Sequence, residues 1–116
     1  MKPMAAWTLG GIAALLALGG LGFWIALQLN SVAVLDTIDR LTGGTRDVTR
    51  VAQVRLGEAA TQTLSLYRAR GIAEPAPVLL FVHGGSWEWG DPKDYGFVAR
   101  SLAPAGYVVA LAGYRL

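Results

Sequence analysis

Residues 83 to 87 read His-Gly-Gly-Ser-Trp and follow an apolar run, Pro77 to Val82, of strand length. A strand that stops at two glycines leaves a loop whose N–H groups can turn toward one point, because glycine adopts backbone angles that other residues resist. Successive amides of Gly84, Gly85 and Ser86 aimed at a common spot form a concave anion site, and a negatively charged oxygen is its natural guest. A tight strand-to-helix connection with no ligand is the plainer reading of two glycines. His83, the single histidine, is open to two readings as well: a structural hydrogen-bonding residue, or part of a reactive centre.

Chemistry at such a loop needs an attacking group. Gly84, Ser86 and Glu88 imitate a Gly-x-Ser-x-Gly turn except at the last position. A serine nucleophile needs a base within hydrogen-bond reach, and the sole histidine lies three residues away on the same loop, so Ser86 is not read as the nucleophile. The chain has no cysteine, which removes thiol nucleophiles, thiolate zinc sites and disulfides, and one histidine excludes a multi-histidine metal site. No metal or organic cofactor is expected. Glu88, Asp91, Lys93 and Asp94 read as a solvated charge cluster at a helix start. The net charge is +2 and the arginines are scattered, whereas phosphate tracking needs a concentrated basic patch, so no nucleic-acid partner is expected.

The elements that position the loop follow from patterning. Residues 77 to 82 form a continuous apolar run, the signature of a strand buried on both faces of a parallel sheet. Asp91 is an N-cap with Pro92 at the first helical position, Phe97, Val98 and Leu102 give an apolar face, and Gly106 closes the segment. Residues 107 to 114 then read as a second buried strand. Strand, helix and strand make a βαβ unit, with the glycine loop at the carboxyl end of its first strand, where open α/β sheets bind ligands. Upstream, residues 48 to 57 and 61 to 70 are Val, Leu, Thr and Tyr segments with partial alternation, read as two strands joined by a turn at Gly57 to Ala60.

The front of the chain is of another kind. Met4 to Leu29 carries no charge and one strongly polar side chain, Gln28, and it exceeds the roughly 20 residues a helix needs to cross a bilayer. Residues 1 to 30 are therefore expected to be a transmembrane anchor, with Trp7 and Trp24 at the interfaces. Lys2 before the span favours a cytoplasmic N-terminus and an extracytoplasmic remainder. The alternative is a signal peptide cleaved at Ser31 to Ala33, giving a secreted protein. Residues 31 to 45 read as an amphipathic helix and linker, with Val34, Leu35, Ile38 and Leu41 on one face and Asp36, Asp39 and Arg40 elsewhere, either extending the membrane helix or forming a short amphipathic collar.

Taken as an ordered set, "VRLGEAATQTLSLYRAR", "VLLFVHGGSW", "GDPKDY" and "FVARSLAPAGYVVALAGYRL" resemble the N-terminal portion of α/β-hydrolase carboxylesterases. The likeness is to the acetyl-esterase and feruloyl-esterase-like branch, related to hormone-sensitive-lipase-type enzymes whose loop reads HGGG. It runs from about residue 50 to the last residue. The resemblance implies an α/β fold, here an N-terminal transmembrane helix followed by an incomplete α/β-hydrolase fold over residues 46 to 116, with two leading strands and one βαβ unit. It implies an oxyanion hole with Gly85 and Ser86 as donors, Gly84 shaping the turn and His83 bracing it. Trp87, Trp89 and Tyr95 would flank an acyl pocket, or else pack as surface-loop aromatics. Two positions depart from the family: Ser86 replaces the third glycine, and Ala112 and Gly113 replace the proline and aspartate of "PDYRL".

The family's nucleophile, in Gly-x-Ser-x-Gly, and the acid and histidine that follow it are absent from these 116 residues, so the chain by itself is expected to be inactive. The expected whole is a membrane-anchored hydrolase of small carboxylic esters. The alternative is a small non-catalytic bitopic membrane protein or a decayed hydrolase relic. The apolar strand at residues 77 to 82, lacking its neighbour, is expected to be an exposed edge that makes the isolated chain marginal or aggregation-prone.

Overall fold

A computed structural model describes residues 3 to 44 and 47 to 116. Lys2, on which the orientation expectation rests, and linker residues Thr45 and Arg46 lie outside the described residues. In chain order the elements are α1 (Pro3–Leu41), β1 (Val48–Arg55), β2 (Thr63–Ala69), β3 (Val78–Val82), α2 (Gly96–Leu102) and β4 (Val108–Ala112). Single 3-10 turns, Pro92–Tyr95 and Ala103–Ala105, flank α2. Contacts divide the chain into an N-terminal helical unit ending at Val34 and a second unit, Leu35–Leu116.

Among the described residues one helix is long and apolar enough to cross a membrane, Trp7–Leu41, whose most apolar 18-residue stretch has a mean hydropathy of 2.0. Its large apolar side chains, Trp7, Leu15, Leu16 and Trp24 among them, are exposed. Asn30 interrupts the helix: its backbone leaves helical geometry, and its Oδ1 accepts from the Ala33 N–H at 3.0 Å. That is an N-cap just beyond the apolar run that ends at Leu29, restarting the helix at Ser31.

In the second unit the sheet order is β1-β2-β4-β3, with β3 and β4 parallel and the other pairs antiparallel. The expected hairpin and βαβ unit are both present. Leu56 N–H bonds to the Gln62 carbonyl at 2.8 Å and closes the β1–β2 connection. Asp91 caps the Pro92 turn by accepting from Lys93 N–H at 3.0 Å, and Gly106 ends the helical segment with a left-handed φ of 104°. Ala99 and Ala103 pack against Val109, Leu111 and Ala69, with Leu79, Phe81, Tyr95 and Leu102 around them. The small alanines let α2 lie close to the sheet.

One expectation is corrected. β3 is not buried on both faces: Leu79 and Phe81 turn to the core, while Val78, Leu80 and Val82 are 66, 62 and 52% exposed. Only one face of the sheet at β3 is covered by helix, so its alternate side chains stand open; separately, β3 is the last strand in the order, which leaves an open edge of backbone groups. In residues 35 to 41 the charged face is the one that packs within the second unit. Asp36 is 3% exposed, whereas Leu35, Ile38 and Leu41 stay exposed. The reason is electrostatic. The N-cap position of α2, Tyr95, supplies no side-chain cap, and Asp36 Oδ1 takes that role by accepting from Phe97 N–H at 2.8 Å. The same oxygen meets Arg100 Nη2 at 2.5 Å, Asp39 Oδ2 meets Arg100 Nε at 2.5 Å, and Arg40 reaches the other Asp36 oxygen at 2.6 Å. Burial alone works against the Arg100 charge, but the hydrogen bonds and charges of Asp39 and Asp36 outweigh it and hold the guanidinium above its ordinary pKa.

Candidate functional site

The parallel pairing of β3 with β4 sets the site. Val82 lies opposite Ala112, so the residues just beyond each strand emerge side by side, His83 and Gly84 next to Gly113 and Tyr114. The His83 ring is buried, stacked on Tyr114 (centroids 4.5 Å, 17°) and on Tyr95 (5.5 Å, 22°). Its Nδ1 lies 2.6 Å from the Gly84 carbonyl oxygen. A carbonyl only accepts, so the proton is assigned to Nδ1 and His83 donates to its own loop. Gly90 completes the enclosure: with φ 118°, any Cβ there would come within 2.7 Å of His83 Nδ1.

The loop backbone is strongly curled. Gly85, Ser86 and Trp87 have φ of 131, 54 and 67° in succession. Left-handed geometry suits glycine and is costly for serine and more so for tryptophan. The Gly85 carbonyl accepts from both Glu88 N–H (3.0 Å) and Trp89 N–H (3.2 Å), closing the curl, and the Trp87 ring rests on Tyr114 at 4.9 Å. A Cβ on Gly85 would fall on the Trp89 carbonyl oxygen, so this glycine is demanded twice, by φ and by space. Gly84 has open space around it. Neither the Gly85 nor the Ser86 N–H donates to another backbone carbonyl among the described residues.

The structure thus brings His83, Gly84, Gly85, Ser86, Trp87 and Tyr95 together. Trp87 is 72% exposed and packs on Tyr114, and Tyr95 lies beneath His83 against Phe81. Trp89 is exposed at 61% and makes no ring contact among the described residues. Burial, then the neighbouring Tyr114 and Asp94, raises the Tyr95 phenol above its ordinary pKa. Asp91 and Lys93 pair at 2.9 Å on the surface, which with the Asp91 bond holds the Lys93 ammonium above its ordinary value. Among the described residues no cluster of three or more His, Asp or Glu side chains could hold a metal.

Sequence reasoning missed Tyr114 and Thr61. Tyr114 OH donates toward the His83 carbonyl (3.0 Å) and lies 3.3 Å from the Gly84 carbonyl. Thr61 Oγ1 donates to the Tyr114 carbonyl at 3.0 Å, and Gly113 N–H to the Thr63 carbonyl at 2.7 Å. The turn that lacks the family's proline and aspartate is therefore fastened through main-chain groups to the β1–β2 connection. The available signal was topological: residues after β4 must lie beside residues after β3.

With this geometry in hand, comparison with known proteins gives a consistent class. No family model matches the chain. The kynurenine formamidase of Danio rerio is 30% identical over 83 residues, covering 68% of this chain and 28% of that protein. Esterase LipC of Mycobacterium tuberculosis is 36% identical over 66 residues, 55% of this chain and 16% of its own length. Among solved structures, esterase B from Lactobacillus rhamnosis superposes with a TM-score of 0.55 at 29% identity, covering 74% of this chain and 30% of that one. The resemblance to carboxylesterases of the α/β-hydrolase fold is thus confirmed, and the chain has their α/β fold over the part it covers. It spans under a third of the length of these relatives.

Proposed function

We propose that this chain supplies the oxyanion-binding part of a membrane-anchored, extracytoplasmic hydrolase of small carboxylic esters, with the serine nucleophile, its histidine and its acid carried by sequence outside these 116 residues. The observation that carries the reading is the curled loop at the carboxyl end of β3, where the Gly85 and Ser86 N–H groups are left unused by the backbone. In the proposed reaction a serine oxygen adds to the ester carbonyl carbon, and the former carbonyl oxygen, now anionic, accepts from these two amides. Collapse of the tetrahedral species expels the alcohol, which takes up the serine proton through histidine, and water repeats the sequence on the acyl-enzyme. One such donor is worth about 10²- to 10³-fold in kcat when its site is preorganised. In this reading Trp87, exposed beside the loop, and Tyr95, stacked on His83, border the acyl group.

The helix before Asn30 serves as the anchor, and the exposed Leu35, Ile38 and Leu41 suit a membrane-surface collar. The exposed edge of β3 accepts the next strand of the complete sheet. A second substrate class is favoured by the fish relative, whose name is a formamidase: a formamide carbonyl passes through the same kind of oxyanion.

The test is to isolate the native product from membrane fractions, measure its intact mass, label it with a fluorophosphonate and assay hydrolysis of p-nitrophenyl acetate. The expected result is a labelled, active membrane species well above 12.3 kDa. A single unlabelled species of 12.3 kDa would overturn the enzyme reading and leave a non-catalytic membrane protein.

A further inference from the structure

We propose that Tyr114 is a positioning residue that sets the direction of the Gly85 N–H, an inference that rests on the oxyanion reading of the loop. A trans peptide is planar, with its C=O and N–H pointing to opposite sides, so whatever holds the carbonyl of one residue aims the N–H of the next. The Gly84 carbonyl accepts from His83 Nδ1 at 2.6 Å, with Tyr114 OH at 3.3 Å, and the His83 carbonyl accepts from Tyr114 OH at 3.0 Å. Those donors draw two successive carbonyls to one side and turn the Gly85 N–H to the other. The Ser86 N–H is aimed separately, through the Gly85 carbonyl held by Glu88 and Trp89 N–H.

Tyr114 acts through its ring as well. It stacks on His83 at 4.5 Å, fixing the imidazole that shares the Gly84 carbonyl, and carries Trp87 at 4.9 Å, a residue held at φ 67°. Such a backbone persists only when its surroundings over-determine it. Tyr114 is in turn tied at its carbonyl by Thr61. One side chain from the end of β4 thus holds both flanks of the curl.

Tyr114→Phe keeps the ring and removes the hydroxyl, and Tyr114→Ala removes both. In the intact gene product from membranes, Tyr114→Phe is expected to lower kcat on p-nitrophenyl acetate about tenfold with KM within about twofold, because the oxyanion exists only in the transition state. Tyr114→Ala is expected to lower it further. In the 15N-labelled 116-residue chain in detergent micelles, Tyr114→Phe is expected to reduce the Gly85 amide order parameter from about 0.85 toward 0.6 while leaving Ser86 near the wild-type value. An unchanged kcat together with an unchanged Gly85 order parameter would overturn the assignment. So would a lowered melting temperature with kcat, KM and loop order intact, which marks a merely structural residue. If the wild-type product hydrolyses no ester, the proposed function falls, and the Gly85 order parameter alone decides whether Tyr114 directs this peptide.

Discussion

The loop makes adjacent glycines unequal, and substituting each in turn tests its geometry. Gly85 has φ 131°, a region nearly closed to other residues, and an added Cβ would fall on the Trp89 carbonyl oxygen. Gly84 lies outside the left-handed region and meets nothing within 4 Å. In Gly85→Ala the backbone must leave its φ, at about 1 to 3 kcal/mol. Moving the Trp89 carbonyl also breaks the hydrogen bonds from Glu88 and Trp89 N–H to Gly85, each worth about 0.5 to 1.5 kcal/mol. The total of about 2 to 6 kcal/mol falls on a local structure, which opens before the whole unit does. Amide hydrogen exchange read by mass spectrometry in detergent micelles is the assay. Peptides covering residues 83 to 90 should exchange about 30-fold to about 10⁴-fold faster in Gly85→Ala, at about 1.4 kcal/mol per tenfold, and at the wild-type rate in Gly84→Ala. Equal exchange in the two variants, fast or slow, would refute the reasoning.

Asp36→Ala should destabilise the second unit by about 1 to 3 kcal/mol, since it leaves the Phe97 N–H without its acceptor and takes one of two carboxylates from Arg100, which keeps Asp39, while Arg40→Ala, at the exposed end of the same network, should cost under about 1 kcal/mol. Chemical denaturation followed by far-UV circular dichroism separates them, and equal losses would count against the assignment. Restoring the family's aspartate in Gly113→Asp should lower stability by about 1 to 3 kcal/mol, because a Cβ there overlaps the Thr61 carbonyl and comes within 2.8 Å of Pro92; a raised melting temperature would contradict it. The raised Tyr95 pKa means the folded state holds that proton more tightly, so its stabilisation is complete below the ordinary tyrosine value of about 10 and is lost as pH rises through the higher folded value. Absorbance titration near 295 nm should show a late-ionising phenol that disappears in Tyr95→Phe, and identical titrations would exclude it.

Local rules made much of this legible. Alternation over residues 48 to 70 foretold the β1–β2 hairpin, and Asp91, Pro92 and Gly106 marked the helical segment at both ends, because capping and turn chemistry act over a few residues. The apolar run in β3 misled about burial: hydrophobicity reports that a face is costly to expose, not that anything covers it. The role of the polar face of residues 35 to 41 had no local signal at all. Asp36 and Arg100 stand 64 residues apart, and nothing local tells a solvated carboxylate from one that caps a distant helix.

The sequence by itself determined a long apolar helix, a βαβ unit and a glycine loop at the end of its first strand, since these follow from composition and short-range periodicity. Only the tertiary structure decided that Tyr114 grips the loop, that Thr61 fastens the turn lacking the family's aspartate, and that Asp36 and Asp39 pair with Arg100. Those contacts arise from parallel strand register and from helix ends meeting across the fold, which become defined once the sheet has formed.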